Sequence, residues 1–171
     1  MPTFVPGHER AVQRCADVVN AAPLGEDALR RVLREHGEDV DELSSDEVAD
    51  LQSASAALRA VAEGDSLDVV CGRINDVLAR CRPPRLESHG GQTAWHVHVD
   101  RADAGWGDWL LASSALALAT VVTETQAPPL GVCAAHGCDD VYPAHGRGRP
   151  RRFCSATCAS RARTASRRAR G

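Results

Sequence analysis

The sequence predicts a mostly α (α+β) chain: a helical body with one β-hairpin, then a small C-terminal module organised by cysteines. Three observations lead there. Apolar residues recur at helical spacing in five stretches before residue 126. Hydrophobic residues make up 43% of the chain but only six are aromatic, which leaves Ala, Leu and Val to build a core suited to helix packing. Finally, four cysteines fall in two close pairs after residue 132, in a segment too small to bury a core of its own.

The first helix is expected over Glu9 to Asn20, with Val12, Cys15, Ala16 and Val19 on one face. Pro23 and Gly25 interrupt the pattern. It resumes from Glu26 to His36, where Leu29, Val32 and Leu33 are apolar and Gly37 supplies the stop. Ser44-Ser45-Asp46-Glu47 reads as a capping box, opening a helix to about Glu63 with Val48, Leu51, Ala54, Leu58 and Val61 inward. Ser66 caps a fourth helix whose stripe is Leu67, Val70/Cys71, Ile74, Val77/Leu78 and Cys81. Pro83-Pro84 ends it. Leu86 to His89 and Ala94 to Asp100 flank Gly90-Gly91 as two hairpin strands, with Trp95, Val97 and Val99 alternating with His96 and His98.

A fifth helix runs from Trp106 to about Thr125. Its apolar run, Trp109 to Val122, contains Ser113, Ser114 and Thr120 and is too short to span a bilayer, so it reads as a buried helix. The 171 residues suit one domain and an appendage: a body over 1–125, a Pro-containing linker over 126–131 and the cysteine module over 132–171, ending in a helix from Ser155 to about Ala169.

Charge divides along the same line. The chain carries net −3, yet residues 133–171 hold nine Arg against two Asp, and residues 1–132 hold eleven Arg against twenty-one acids. A basic tail of this kind suits a polyanion, and the acidic body does not. The N-terminus lacks a basic stretch followed by an apolar one, so the protein is expected to be cytoplasmic, with no membrane partner. Seven cysteines in that setting argue for metal and free thiols over disulfides.

The module itself reads Cys133-Ala-Ala-His-Gly-Cys138, fifteen residues, then Cys154-Ser-Ala-Thr-Cys158. Two close cysteine pairs supply four soft ligands to one tetrahedral, structural Zn2+, and four thiolates leave no open position for a catalytic water. The loop between the pairs has only Val141, Tyr142 and Phe153 as large apolar side chains, so a metal is its natural staple. His136 and His145 are alternative ligands, less favoured because His136 lies inside the first cysteine loop.

These residues resemble the CGNR zinc finger, found behind an ABATE domain in bacterial proteins regarded as transcription regulators. The resemblance rests on Cys133, Cys138, the run Arg151-Arg152-Phe153-Cys154-Ser155, Cys158 and Arg161; where the signature reads Cys-Gly-Asn-Arg, this chain has Cys158-Ala159-Ser160-Arg161. In the body, Val18-Val19-Asn20 stands where such domains carry a Leu-Asn-Thr-like run, and Leu29 to Gly37 and Trp95 to Val99 follow the pattern. The resemblance implies a treble-clef-like finger, in which a knuckle, a hairpin and a helix share one metal, and it leaves both histidines out of the ligand set.

Other groups read more plainly. Cys15, Cys71 and Cys81 fall on apolar helical faces and are expected to be small core residues. His96 and His98 share one side of a strand without an evident third ligand beyond a weak His89, and are expected to be polar surface. The acids from Glu38 to Asp50 read as a solvated loop and helix start. No nucleophile–base set, phosphate-binding glycine loop or catalytic carboxylate pair is present, which disfavours an enzyme.

The expected function is DNA-binding transcription regulation. Arg163, Arg167 and Arg170 share a stripe of the last helix facing away from Cys158, and Arg147, Arg149, Arg151 and Arg152 supplement it from the loop. Arg161, Phe153 and Tyr142 are expected to stabilise the finger. The body would act as a sensor with a small-molecule ligand or as a homodimerisation module. The alternative is an adaptor whose finger binds an acidic protein; a ligand-binding protein with an incidental tail ranks third.

Overall fold

The computed structural model describes residues 7–99, 101, 103–144 and 151–168. Among them are six α-helices and two two-stranded antiparallel hairpins. In chain order these are α1 (Gly7–Ala21), α2 (Glu26–Glu35), α3 (Ser45–Ala62), α4 (Leu67–Leu78), β1 (Arg85–Glu87), β2 (His96–His98), α5 (Trp106–Thr125), β3 (Leu130–Val132), β4 (Val141–Pro143) and α6 (Ala156–Arg168).

α5 is the central rod, with α1, α3 and α4 laid against it. Its apolar character extends beyond the 14-residue run read from the sequence, giving a 20-residue helix long and apolar enough, by length and composition, to cross a bilayer. The packing accounts for that character: Leu110, Leu118 and Val121 are fully buried among Val12, Val19, Leu51, Leu58 and Val70 of the surrounding helices. Each such side chain stabilises the fold by roughly 1.5–3 kcal/mol relative to exposure.

The local stop and start signals act as the sequence suggests. Ser44 Oγ accepts from the Glu47 amide, and the Glu47 carboxylate accepts from the Ser44 amide. Ser66 caps α4 through the Val69 amide. Gly37, at φ +89°, closes α2 as the Glu38 amide reaches back to the Leu33 carbonyl at 3.0 Å.

Two expectations need correction, and a third gains a contact. Asp50 is exposed, as expected of a solvated helix start, but it also crosses from α3 to the start of α5, where its Oδ2 accepts from the Gly107 amide at 2.7 Å. A Cβ on Gly107 would lie 2.5 Å from that carboxyl, so a larger residue there would push the Asp50 side chain off this bond. Cys15 is fully buried, but Cys71 and Cys81 are half-exposed, because α4 lies at the edge of the bundle and presents Val69 to solvent. The β1–β2 hairpin is also less buried than its apolar residues suggest. Leu86 and Val97 face each other across the pair yet are 67% and 43% exposed, and Trp95 is 72% exposed. No element covers that face among the described residues; only Val99, whose carbonyl accepts from the Arg82 amide, is buried against the body.

The second hairpin belongs to both parts of the molecule. β3 begins at Leu130, inside the span read as a linker, and Leu130 and Val141 are buried in the same core as the bundle. α1 and α3 form its floor. In the β3–β4 register Val132 faces Val141 as a non-hydrogen-bonded pair, so the Val141 N–H and C=O point away from β3. Asn20, near the end of α1, takes both: its Nδ2 donates to the Val141 carbonyl and its Oδ1 accepts from the Val141 amide, each at 2.8 Å.

Candidate metal centre

Four pieces of backbone bring the cysteines together. Cys133 follows β3 directly, its amide donating to the Asp140 carbonyl at 2.9 Å across the hairpin. Gly137, at φ +71°, turns the chain so that the Cys138 amide reaches the Ala135 carbonyl at 3.0 Å, forming a tight knuckle. The returning strand of chain is held by the Ala134 amide on the Arg152 carbonyl, which delivers Cys154. Ser155 then caps α6, its Oγ accepting from the Cys158 amide at 3.2 Å, so the last cysteine sits in the first turn of that helix.

The four Sγ atoms all lie within 4.8 Å of one another. Cys138 to Cys154 is 3.7 Å and Cys154 to Cys158 is 3.6 Å. A tetrahedral zinc–thiolate centre with bonds of about 2.3 Å has sulfur–sulfur edges of about 3.8 Å, so the residues fit one zinc ion. The ligand cluster is shielded on one side: Cys133 and Cys158 are buried together with Ala135 and Tyr142, against half-buried Phe153, while Cys138 and Cys154 are half-exposed.

The electrostatics favour a cation. Burial opposes ionisation of Cys133, but amide hydrogen bonds from Cys154 and Ala135 outweigh it and bring the thiol down to about 7. The Asp140 amide favours a Cys138 thiolate, yet burial and the neighbouring Asp140 carboxyl and Cys133 push that thiol up to about 11. Burial and the adjacent Cys158 and Cys133 push Cys154 upward as well. Four thiols so close cannot all ionise against one another, and a divalent ion removes that conflict.

The residues expected to stabilise the finger surround the sulfur atoms. Arg161 Nη2 donates to the His136 carbonyl at 2.6 Å, tying α6 to the knuckle. Ala159 and Ser160, where the family signature has Gly-Asn, are half-buried and exposed, on the outer part of that turn. Tyr142 is buried over Gly131, where a Cβ would stand 3.0 Å from its hydroxyl, and the hydroxyl donates to the Arg151 carbonyl at 2.7 Å.

The arginines divide into groups. Arg163 and Arg167 are exposed along α6 with Arg168, and Arg152 is exposed with its guanidinium 6.0 Å from the Phe153 ring. Arg151 is engaged within the finger, donating to the Cys154 carbonyl at 2.8 Å and lying 5.4 Å from the Tyr142 ring. Arg147, Arg149, Arg170 and the alternative ligand His145 lie outside the described residues. Sequence reasoning missed the roles of Asn20 and Asp140. Asp140 Oδ2 accepts from the Cys138 and Cys154 thiols at 3.3 and 3.5 Å, and only its place one residue from Cys138's neighbour signalled it.

No curated protein matches this chain. Residues 130–171 match the family model of the CGNR zinc finger, a span that begins with β3 and contains all four cysteines and the whole of α6.

Proposed function

We propose that this chain is a zinc-dependent, DNA-binding transcription regulator. In this reading the finger contacts DNA, and the acidic, ABATE-like body serves as its sensor or dimerisation module. The observation that carries it is the two-sidedness of α6: Cys158 faces inward and is buried, while Arg163, Arg167 and Arg168 are exposed. Exposed arginines without acids between them suit phosphate contacts along a duplex.

Cys133, Cys138, Cys154 and Cys158 would hold the zinc ion, which supplies a structural cross-link among knuckle, hairpin and helix. Four thiolate ligands close its coordination sphere, which favours a binding protein over an enzyme. A cytoplasmic location follows from the nucleic-acid target. The coupling of Asn20 to Val141 gives the body a direct hold on the finger, as a sensor requires.

The test is the salt dependence of DNA affinity. Each phosphate contact on duplex DNA contributes about 0.9 to the slope of log affinity against log salt, so replacing Arg163 and Arg167 with Gln should flatten it by up to about 1.8. Arg31→Gln, exposed on α2, should leave the slope alone. Equal effects from the two sets would remove α6 as the contact surface. An absence of saturable DNA binding would favour an adaptor for an acidic protein.

A further inference from the structure

Three segments distant in sequence meet in the body: the loop after α2, the start of α3 and the start of α5. Between them lies a cleft of about 320 Å³, walled by Glu38, Glu47, Arg101, Trp106 and Trp109. Aromatic faces with a few charged groups are the usual lining of a small-molecule site, and this volume suits a small occupant. The two indoles form a corner, their ring centroids 5.3 Å apart and their planes at 90°.

The charges in that wall decide the sign of the occupant. Glu38 Oε1 takes the Arg14 guanidinium at 2.8 Å, and Asp103 grips Arg101 through two contacts of 2.9 Å. Those two pairs cancel, and Glu47 leaves the cleft with one net negative charge. The positive helix starts do not reverse it. Glu47 Oε2 accepts from the Ser44 amide at the head of α3, and α5 begins with Asp50 on its Gly107 amide and Asp108 in its first turn.

The protein already holds one cation at this corner. The Arg14 guanidinium carbon stands 4.3 Å from the Trp109 ring centroid while its nitrogens donate to Glu38 and Ser113. Trp109 and Glu38 thus grip it between indole and carboxylate. Trp106 and Glu47 line the same cleft as a second such set, and among the described residues no guanidinium lies over the Trp106 ring.

We propose that this cleft binds a small primary alkylammonium ion. Its N–H groups donate to the Glu47 carboxylate, and its charge and first methylenes lie against Trp106, where the ring quadrupole attracts them. The site gives the body a ligand class, and its meaning as a signal rests on the sensor role proposed above.

The experiment titrates n-butylammonium into the full, zinc-loaded chain at constant ionic strength, followed by ligand-observed NMR. Saturable binding is expected, and n-butanol, of similar shape without the charge, should bind at least about fivefold more weakly. Glu47→Gln and Trp106→Leu should each weaken n-butylammonium by about two- to fivefold, and together by about tenfold. Glutamine at position 47 keeps the capping bond of α3, and leucine at 106 keeps an apolar contact with the core, so both should retain the parent's circular dichroism spectrum. No saturable binding, equal affinity for n-butanol, or undiminished affinity in the folded double variant overturns the proposal. The titration contains no DNA, so its failure would leave the regulator reading standing. A chain that binds n-butylammonium but no DNA would keep the cleft and lose the regulator.

Discussion

Asn20→Ala should destabilise the whole molecule, not only the finger. The side chain makes two 2.8 Å hydrogen bonds to the outward-facing edge of β4, 121 residues away in sequence. Each bond has a net worth of about 1 kcal/mol, and an orphaned buried backbone group costs about 1–3 kcal/mol. Because Asn20 is only half-buried, water relieves part of that cost, so about 2 kcal/mol is expected in total. For a chain of this size that lowers the midpoint of thermal unfolding by about 4–8 °C. The loss should appear in the helical circular dichroism signal, since the hairpin that Asn20 holds also places Leu130 and Val141 in the helical core. Asn20→Asp should be at least as damaging, because it points an acceptor at the Val141 carbonyl. Gln13→Ala, which removes a single exposed bond to Asp17, is the control and should stay within about 0.5 kcal/mol. An Asn20→Ala variant within that same margin, or an Asn20→Asp variant of parental stability, would refute the idea that this contact joins body and finger.

Elemental analysis of protein purified without chelator should give one zinc per chain, and Cys158→Ser should lose it. Removing the zinc should also lower the unfolding midpoint of the body helices, since a ligand that binds only the folded state stabilises everything that folds with it; a body midpoint indifferent to zinc would contradict the shared core. Arg161→Ala should release zinc to a colorimetric chelator faster than the parent, by breaking the tie to the His136 carbonyl, and unchanged release would count against that tie. Stability should fall as pH rises through the range 9 to 11. Burial pushes the Cys15 thiol up to about 11, so its contribution is complete below the unfolded value near 9 and is lost as the folded group ionises. The shift corresponds to roughly 2–3 kcal/mol. Denaturant titrations of Cys15→Ala should show a flatter alkaline limb than the parent, and identical limbs would exclude Cys15 as the source.

What the sequence made legible was local. The capping box at Ser44, the stop at Gly37 and the pairing of the four cysteines each depend on residues within a few positions, and the chemistry of each is encoded in residue type. The contacts that escaped are long-range. Asp50 meets the Gly107 amide across 57 residues, and nothing in the acidic run around it marks out that carboxyl. Asn20 lies near the end of an amphipathic helix where a polar residue ordinarily meets water. Alternation in β2 was legible too, but alternation does not say which face a partner covers, and here Trp95 and Val97 face solvent while Val99 turns to the body.

The same distinction between local and long-range contacts explains how the finger is assembled. Its hairpin is anchored to the body by Leu130, Val141 and Asn20, none of which touches the sulfur atoms through its side chain. Its helix has different attachments. Beyond Arg161, every described residue of α6 is exposed except half-buried Ala162, so the helix is positioned by Cys158, the Ser155 cap and the bond from Arg161 to the knuckle. The hairpin therefore rests on a floor of α1 and α3, whereas the direction in which Arg163, Arg167 and Arg168 point is set through the sulfur cluster. A metal at that cluster fixes the basic helix relative to the acidic body, and it does so with contacts confined to the knuckle and the first two turns of α6.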